Sequence, residues 1–296
     1  MKYHNPIITG FHPDPSVCRV GNDFYLVNSS FEYFPGIPIY HSTDLTHWEQ
    51  IGHVLDRKNQ LKLVSGAPNC LGIYAPTIRY HEGIFYCIVT NVGGRSGGNF
   101  FVYTTDPYGR WSNPVKLPFA GIDPSLFFDE DGRIYYTGTD TGIYIAEITF
   151  DVVRNDTPKR NELPVSIQNV KCGEKHYIWN GSGGNNPEGP HLYRIHDMYY
   201  LMIAEGGTEY CHMVTIARSK NVYGPYEACP HNPVLSNRST CLNIKAIGHA
   251  DLVEDSQGSW WAVCLGIRPL GYPFRHNLGR ETMLAPVKWE NGCYGR

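Results

Sequence analysis

The sequence predicts an all-β protein folded as a five-bladed β-propeller, and two observations carry this prediction. The first is composition: among 296 residues the chain has 31 Gly and 21 Pro, which interrupt helices, together with 21 Tyr, 12 Phe and 6 Trp, which favour strands. The second is a repeat, since a turn followed by an aromatic pair and an apolar run occurs five times. A bundle of helices is therefore excluded, and a generic β-sandwich would not explain the five-fold repeat.

The five copies of the repeat follow one another along the chain. The second aromatic residue of each pair falls at positions 25, 86, 136, 200 and 261, so that the copies are 50 to 64 residues apart. This length suits a propeller blade with long loops, in which a hairpin is followed by two outer strands. Closing five such blades into a ring removes exposed sheet edges and predicts one domain. The copies are Gly21–Val27, Glu82–Ile88, Asp131–Tyr136, His196–Met202 and Gln257–Val263.

A short apolar strand that opens with a small or proline-containing segment precedes each turn. In a propeller the innermost strand of every blade lines the central axis, so residues at equivalent blade positions meet at one mouth although they lie far apart in sequence. Three carboxylates and a histidine occupy this position, where structure alone favours small or apolar residues. The five equivalent residues are Asp14, Ala75, Asp123, Glu188 and His249.

Each of these carboxylates also has a structural explanation when it is considered alone. An Asp before Pro-Ser, as at Asp14, can cap a turn, and Glu188 before Gly-Pro can bond its own loop. Gathering three carboxylates at one blade position is costly, because like charges at short range raise one another's pKa. Their convergence therefore favours a functional site.

Three carboxyl groups around a small pit suit the hydrolysis of a glycosidic bond. One must be ionised to activate water, one must be protonated to assist the leaving oxygen, and a third can hold up the pKa of the acid. Aromatic rings at the rim can stack on the apolar faces of sugar rings. The residues expected to do so are Phe31 and Tyr74, with Tyr33 and Phe34 as further candidates.

Other classes of function find little support in the composition. A net charge of −3 gives no electrostatic footprint for nucleic acid or an anionic membrane, and no run of 18 apolar residues is present. The nine Cys include no C-x-x-C pair, which argues against a zinc ribbon. The first six residues carry no apolar signal core, and we expect a reduced, cytoplasmic protein.

At these residues the sequence resembles glycoside hydrolase family 43, whose five-bladed propeller enzymes act on xylan and arabinan side chains and on oligosaccharides. The matching stretches cover nearly the whole chain. They are Asn5–Ser16, Ser30–Gly36, Asp123–Phe127, Glu188–Tyr193, Ala204–Thr208 and Leu278–Thr282.

The resemblance implies a role for each polar residue of the site. Asp14 would be the general base that activates water and Glu188 the general acid, while Asp123 would raise the pKa of Glu188 and orient it. Arg280 would bind sugar hydroxyls, and His249 would bind substrate or hold a calcium ion near the axis, although no cofactor is required. The family inverts the anomeric centre, so the carboxyl groups of base and acid should stand roughly 6.5–9.5 Å apart.

The resemblance implies an exo-acting β-xylosidase or α-L-arabinofuranosidase, or one pocket with both activities, that takes oligosaccharides. Relatives of the β-xylosidase type carry Trp-Ala-Pro where this chain has Tyr74-Ala75-Pro76, and they continue into a C-terminal β-sandwich. The chain ends at Arg296 without that sandwich, and we expect a single propeller domain over residues 1–296. The alternatives are an endo-acting, arabinanase-like hydrolase and a non-catalytic carbohydrate-binding propeller. A retaining enzyme of the invertase and levansucrase group is disfavoured, because its Asn-Asp-Pro-Asn-Gly opening is absent.

Overall fold

Five antiparallel sheets, each formed by one continuous stretch of chain, make up the described part of the protein. The computed structural model describes residues 3–63, 68–93, 97–271, 273, 275–290 and 293–295. Each sheet has four or five strands, and the sheets form the blades of a β-propeller. The predicted all-β, five-bladed architecture is therefore confirmed.

The strands of each blade are numbered in chain order. Blade one contains β1 (Ser16–Val20), β2 (Asp23–Val27), β3 (Gly36–Ser42) and β4 (Glu49–Leu55). Blade two contains β5 (Gly72–Ile73), β6 (Thr77–His81), β7 (Ile84–Val92), β8 (Gly98–Thr104) and β9 (Val115–Lys116). Blade three contains β10 (Ile122–Phe128), β11 (Ile134–Thr139), β12 (Ile143–Arg154), β13 (Val165–Cys172) and β14 (His176–Trp179).

Blades four and five have four strands each. Blade four contains β15 (Glu188–Ile195), β16 (Met198–Glu205), β17 (Met213–Ser219) and β18 (Glu227–Ala228). Blade five contains β19 (Lys245–Glu254), β20 (Trp260–Ile267), β21 (Glu281–Glu290) and β22 (Cys293–Gly295). The innermost strands β1, β6, β10, β15 and β19 contact one another in that order around the axis, and β19 contacts β1.

The repeated aromatic pair is explained by the packing between blades. Successive side chains of a strand point to opposite faces, so the two rings of a pair enter the two neighbouring interfaces. Phe24 packs between blades five and one, whereas Tyr25 packs between blades one and two. Tyr136 and Tyr135 likewise face blades two and four. Each ring buried in this way stabilises the ring of blades by roughly 1.5–3 kcal/mol.

The N-terminal segment closes the ring by pairing with β21 of the last blade. Ile8 forms an antiparallel bridge with Thr282, and the side chain of Asn5 both donates to and accepts from the backbone of Leu284 at 2.8 Å. Backbone groups of both segments therefore find partners at the junction between the first and the last blade. Asp14 follows the bridge residue Ile8 by six positions in the chain.

A buried ion pair links the innermost strands across the axis. The guanidinium of Arg79 in β6 contacts both carboxylate oxygens of Asp251 in β19, at 2.7 and 3.1 Å. Ser16 from β1 and Tyr193 from β15 each donate a hydrogen bond of 2.6 Å to the same carboxylate. Burial opposes ionisation of Asp251, but Arg79 outweighs it and holds the pKa below its ordinary value. Four blades are joined through one fully buried carboxylate.

The described ranges were searched for membrane-spanning helices and for disulfide bonds. No helix in those ranges is long and apolar enough to cross a bilayer. The eight cysteines whose side chains are described are all free thiols, and four of them are buried.

We expect Asp251→Asn to destabilise the protein by about 3–5 kcal/mol, because it leaves the buried guanidinium of Arg79 without a countercharge. Urea unfolding followed by tryptophan fluorescence measures this change. Asp131→Asn is the matched control, since the Asp131–Arg133 pair is exposed and its loss should leave the urea midpoint unchanged. Equal midpoints for the two variants would show that the ion pair at the axis does not hold the blades together.

Candidate active site

The polar residues at the mouth of the axis lie at irregular points of the innermost strands. Asp14, Asp123 and His249 have φ values of 53°, 53° and 45°, a region that residues other than glycine rarely adopt. In blade four the residue with this conformation is Gly189, at 60°. Gly189 is therefore the residue equivalent to Asp14, Asp123 and His249. Glu188 lies one position before it, whereas the sequence analysis placed Glu188 at the equivalent position. The register of β10, β15 and β19 also shifts at these points, and such bulges change the direction of a side chain.

Gly189 is required by the close approach of two blades. A Cβ atom at this position would lie 3.0 Å from Cε1 of His249, which is closer than side chains normally pack. The positive φ of the residue adds a conformational reason for glycine. The shift of Glu188 by one position therefore follows from packing at the axis.

The structure brings all seven predicted site residues into one cavity of about 200 Å³. Ala75, which the sequence places at the equivalent position of blade two, also lines it, and so do three residues that the sequence did not indicate as site residues, of which Cys70 and Thr208 have polar side-chain atoms. The lining residues are Asp14, Phe31, Cys70, Tyr74, Ala75, Ile122, Asp123, Glu188, Thr208, His249 and Arg280. Phe34, a further stacking candidate, is exposed and does not line this cavity.

Asp14 is buried among groups that stabilise its ionised form. Ser29 donates a hydrogen bond of 2.5 Å to Oδ2, and Nη1 of Arg280 donates one of 3.1 Å to Oδ1. His249 lies farther away, with Nδ1 3.9 Å from Oδ1. Burial opposes ionisation, but Arg280 and these neighbours outweigh it and keep the pKa of Asp14 below its ordinary value. The carboxylate is therefore ionised at neutral pH.

Glu188 and Asp123 differ from Asp14 because both hold a proton more tightly than usual. Burial, followed by the negative charge of Asp14, raises the pKa of Glu188 to about 7. Burial, followed by the charges of Glu188 and Asp14, also raises the pKa of Asp123 well above its ordinary value, although the amide of Gly189 donates to Oδ2 at 3.2 Å. The cavity thus combines one carboxyl group whose pKa is lowered with two whose pKa values are raised.

The causes of these pKa values refine the expectation for Asp123. Burial and the charge of Asp14 raise the pKa of Glu188, and Asp123 and Glu188 are close enough for each carboxyl group to oppose ionisation of the other. The hydrogen bond from Ser29 to Asp14 was missed by the sequence reasoning. Its signal was present, since Asn28, Ser29 and Ser30 are three polar residues directly after the apolar strand β2, and all three are buried.

One wall of the cavity is aromatic and carries the positive charge of Arg280. The rings of Phe31 and Tyr74 have centroids 5.4 Å apart, and the guanidinium carbon of Arg280 lies 5.4 Å from the centroid of Phe31. This cation–π contact and the bond to Asp14 fix the arginine between an apolar face and a carboxylate. The wall offers rings for the apolar face of a sugar, and the arginine offers donors for its hydroxyls.

The residues present do not form a calcium site. Calcium takes six to eight oxygen ligands, whereas no group of three or more His, Cys, Asp or Glu in the described ranges is arranged to hold a metal. Burial lowers the pKa of His249, so that its imidazole is neutral beside Asp14. His249 is therefore placed to contact substrate or Asp14.

Comparison with known proteins agrees with this geometry. The model of the family described as "Glycosyl hydrolases family 43" matches residues 3–294. A non-reducing end α-L-arabinofuranosidase of Bacteroides ovatus is 50% identical over 292 residues, which are 97% of this chain and 52% of the relative. A xylosidase/arabinosidase of Butyrivibrio fibrisolvens is 47% identical over 298 residues, which are 98% of this chain and 55% of the relative.

Solved structures show the same fold. A Bacteroides ovatus protein described as "Xyloglucan PUL GH43B" has a TM-score of 0.87 at 47% identity, covering 99% of this chain and 56% of that one. A xylan β-1,4-xylosidase of Bacillus halodurans also has a TM-score of 0.87, at 38% identity and with the same coverage. The chain therefore spans about half the length of the relatives that it matches.

The charges around Glu188 predict opposite effects of two substitutions on its pKa. Asp14→Asn removes a negative neighbour and should lower the pKa of Glu188 from about 7, whereas Arg280→Met removes a positive one and should raise it. Carbon-13 NMR titration of glutamate carboxyl groups, assigned with Glu188→Gln, measures both. Shifts of the same sign in the two variants would contradict the electrostatic arrangement described above.

Proposed function

The chain belongs to glycosyl hydrolase family 43, and we propose that it is an exo-acting, inverting glycoside hydrolase that releases xylose, arabinose or both from xylo- and arabino-oligosaccharides. The observation that carries this proposal is the pairing, in one small cavity, of the ionised Asp14 with a Glu188 whose pKa is about 7. A base and an acid that are both in the right protonation state near neutral pH are what hydrolysis of an acetal needs. The names of two relatives, a non-reducing end arabinofuranosidase and a xylosidase/arabinosidase, support the choice of pentoses.

Asp14 and Glu188 carry out the two proton transfers of this mechanism. Asp14 accepts a proton from a water molecule while the oxygen of that water forms a bond to the anomeric carbon. The bond from this carbon to the leaving oxygen breaks, and the leaving oxygen takes the proton of Glu188. Attack from the face opposite the leaving group inverts the anomeric centre. Proton exchange with solvent returns Asp14 to the ionised form and Glu188 to the protonated form.

The remaining residues prepare the reacting groups. Arg280 keeps Asp14 ionised and presents further donors to sugar hydroxyls, while the rings of Phe31 and Tyr74 pack against the sugar. Asp123, which accepts a hydrogen bond from the amide of Gly189 and whose pKa is raised, is placed to orient the sugar beside the acid. The cavity of about 200 Å³ suits one terminal pentose, which favours exo over endo action.

We also propose that the protein works in a reducing compartment, as expected for a cytoplasmic enzyme. The free cysteines support this, because exposed thiols such as Cys70, Cys211 and Cys241 would be oxidised in a secretory environment. Imported oligosaccharides rather than intact polymers would then be the substrates.

Substitution of the base and of the acid should have different effects on good and poor leaving groups. Asp14→Ala should abolish release of nitrophenol from p-nitrophenyl β-xyloside and α-arabinofuranoside, because no group activates the water. Glu188→Ala should reduce hydrolysis of oligosaccharides at least 10²-fold more than that of the nitrophenyl glycosides, which need little acid assistance. Release of nitrophenol and of free pentose are the two measurements.

Three results would count against the proposal in different ways. Equal losses on both substrates in Glu188→Ala would contradict the role of Glu188 as acid. Binding of sugar without hydrolysis by the unmodified protein would indicate a carbohydrate-binding propeller. Release of oligosaccharides from arabinan in place of single pentoses would indicate the endo-acting alternative.

The pH dependence of kcat/KM should be bell-shaped. The active form needs Asp14 ionised and Glu188 protonated, so activity should rise with pH below the ordinary Asp range and fall again through about pH 7. Initial rates of pentose release from an oligosaccharide, which needs the acid, give the profile between pH 3 and 9, and proton NMR of the first-formed sugar gives its anomeric configuration. A basic limb that stays in Glu188→Gln, or a retained anomer, would contradict the mechanism.

A further inference from the structure

A second cavity lies at the end of the propeller axis opposite the catalytic one, and we name it the lower axial cavity. The catalytic residues stand where the innermost strands begin, whereas this cavity is lined a few positions later in each of the same five strands. Because a strand rises about 3.3 Å per residue, the two cavities occupy opposite ends of these strands. The lower axial cavity is lined by residues 17–19, 79–81, 126–128, 192–194 and 252–254, together with Trp260.

The lower axial cavity is separated from the catalytic one by the buried network around Asp251. Arg79 and Tyr193 line the cavity and also bond that carboxylate, so the network forms its floor. Ser16 and Asp251 stand between the two sets of lining residues along β1 and β19. The volume of the lower axial cavity is about 350 Å³, against about 200 Å³ for the catalytic one, which leaves room for one or two sugar units.

The charges around the lower axial cavity are balanced. Two of its three arginines already have carboxylate partners, since Arg79 contacts the buried network and Arg194 lies 3.0 Å from Asp129. The third arginine, Arg19, is offset by the carboxylate of Glu254, which also lines the cavity. The cavity therefore offers no excess of positive charge to an anionic ligand.

Arg19 and Glu254 provide a hydrogen-bond donor and an acceptor from neighbouring blades. Within the described ranges one N–H group of Arg19 has a partner, the carbonyl oxygen of Gly21 at 2.9 Å, so the rest of the guanidinium can donate to a ligand. Glu254 is exposed, and its two carboxylate oxygens can accept. A ligand rich in hydroxyl groups uses both, because each hydroxyl donates one hydrogen bond and accepts others.

Aromatic rings form much of the remaining wall of the lower axial cavity. Trp260 is half-buried, with its ring 5.7 Å from that of Trp289, and Tyr80 is 37% exposed. On the side of blades two and three, the rings of His81 and Phe128 stack with their centroids 4.4 Å apart. Partly exposed rings such as these can pack against the apolar face of a sugar.

We propose that the lower axial cavity is a second carbohydrate site, which binds a neutral sugar of one or two units and takes no part in hydrolysis. Rings beside a donor and an acceptor fit a ligand that has apolar faces and many hydroxyl groups. The balanced charge favours a neutral sugar over a uronic acid. This site goes beyond the proposed function, since its chemistry does not depend on whether Asp14 and Glu188 cleave a bond.

Binding at this site can be observed at Trp260. All six tryptophans lie in the described ranges, and Trp260 is the one among them that lines either the lower axial or the catalytic cavity. The Asp14→Ala protein, which leaves sugars uncleaved, is labelled with 5-fluorotryptophan, and Trp260→Phe assigns the fluorine resonance of this residue. We expect titration with xylobiose, cellobiose and glucose to shift that resonance until it saturates.

Two substitutions of arginine decide which cavity causes the shift. Arg19→Met removes donors from the lower axial cavity and should raise the Kd measured at Trp260 about tenfold. Arg280→Met changes the catalytic cavity and should leave this Kd unchanged. In the otherwise unmodified protein, Arg19→Met should also leave kcat/KM for the nitrophenyl glycosides unchanged. Thermal unfolding of each variant verifies that the fold is kept.

Three results would overturn the second carbohydrate site. A Trp260 resonance that stays in place with all three sugars would show that no neutral sugar binds there. Weaker binding in Arg280→Met, with no change in Arg19→Met, would assign the shift to the catalytic cavity. Tighter binding of glucuronate than of glucose would indicate an anion site instead. The proposed function is tested separately, because only a failure of the unmodified protein to release pentose would contradict it.

Discussion

The ion pair between Arg79 and Asp251 is the contact on which the rest of the molecule depends. It lies between the innermost strands of blades two and five and also receives hydrogen bonds from blades one and four. Asp14 precedes Ser16 by two residues, and His249 precedes Asp251 by two residues. The groups that join the blades are therefore carried on the same short strands as the groups of the catalytic cavity. In blades one and five, the ion-pair network and the cavity are therefore only two backbone positions apart.

A single cation, Arg280, accounts for the different pKa shifts of the three carboxyl groups in the cavity. Arg280 bonds only one of them, Asp14, and so that carboxylate stays ionised despite its burial. Its charge, added to burial, keeps a proton on Glu188, which makes the base a cause of the acid's protonation state. A neutral His249 beside them adds no further positive charge that would lower the pKa of the acid. One arginine, together with burial, thus gives Asp14 and Glu188 opposite shifts in pKa.

The sequence predicts the features that repeat in every blade. It does not predict the positions at which local packing departs from that repeat. The five blades and the convergence of Asp14, Asp123 and His249 follow from periodicity, because equivalent strand positions must meet at the axis. The displacement of Glu188 could not be read from spacing, since it arises from a bulge at which Gly189 packs against the ring of His249.

The closure of the ring by the N-terminal segment has a consequence for the folding of the chain during its synthesis. Asp14 and Arg280, which bond each other, are separated by 266 positions in the chain. Loop closure over such a distance is slow and can occur only when both partners have left the ribosome. A nascent chain therefore carries Asp14 without the arginine that tunes it until blade five has been synthesised. Asp14 and Arg280 therefore come together only with blade five, so the cavity is complete only after all five blades have been made.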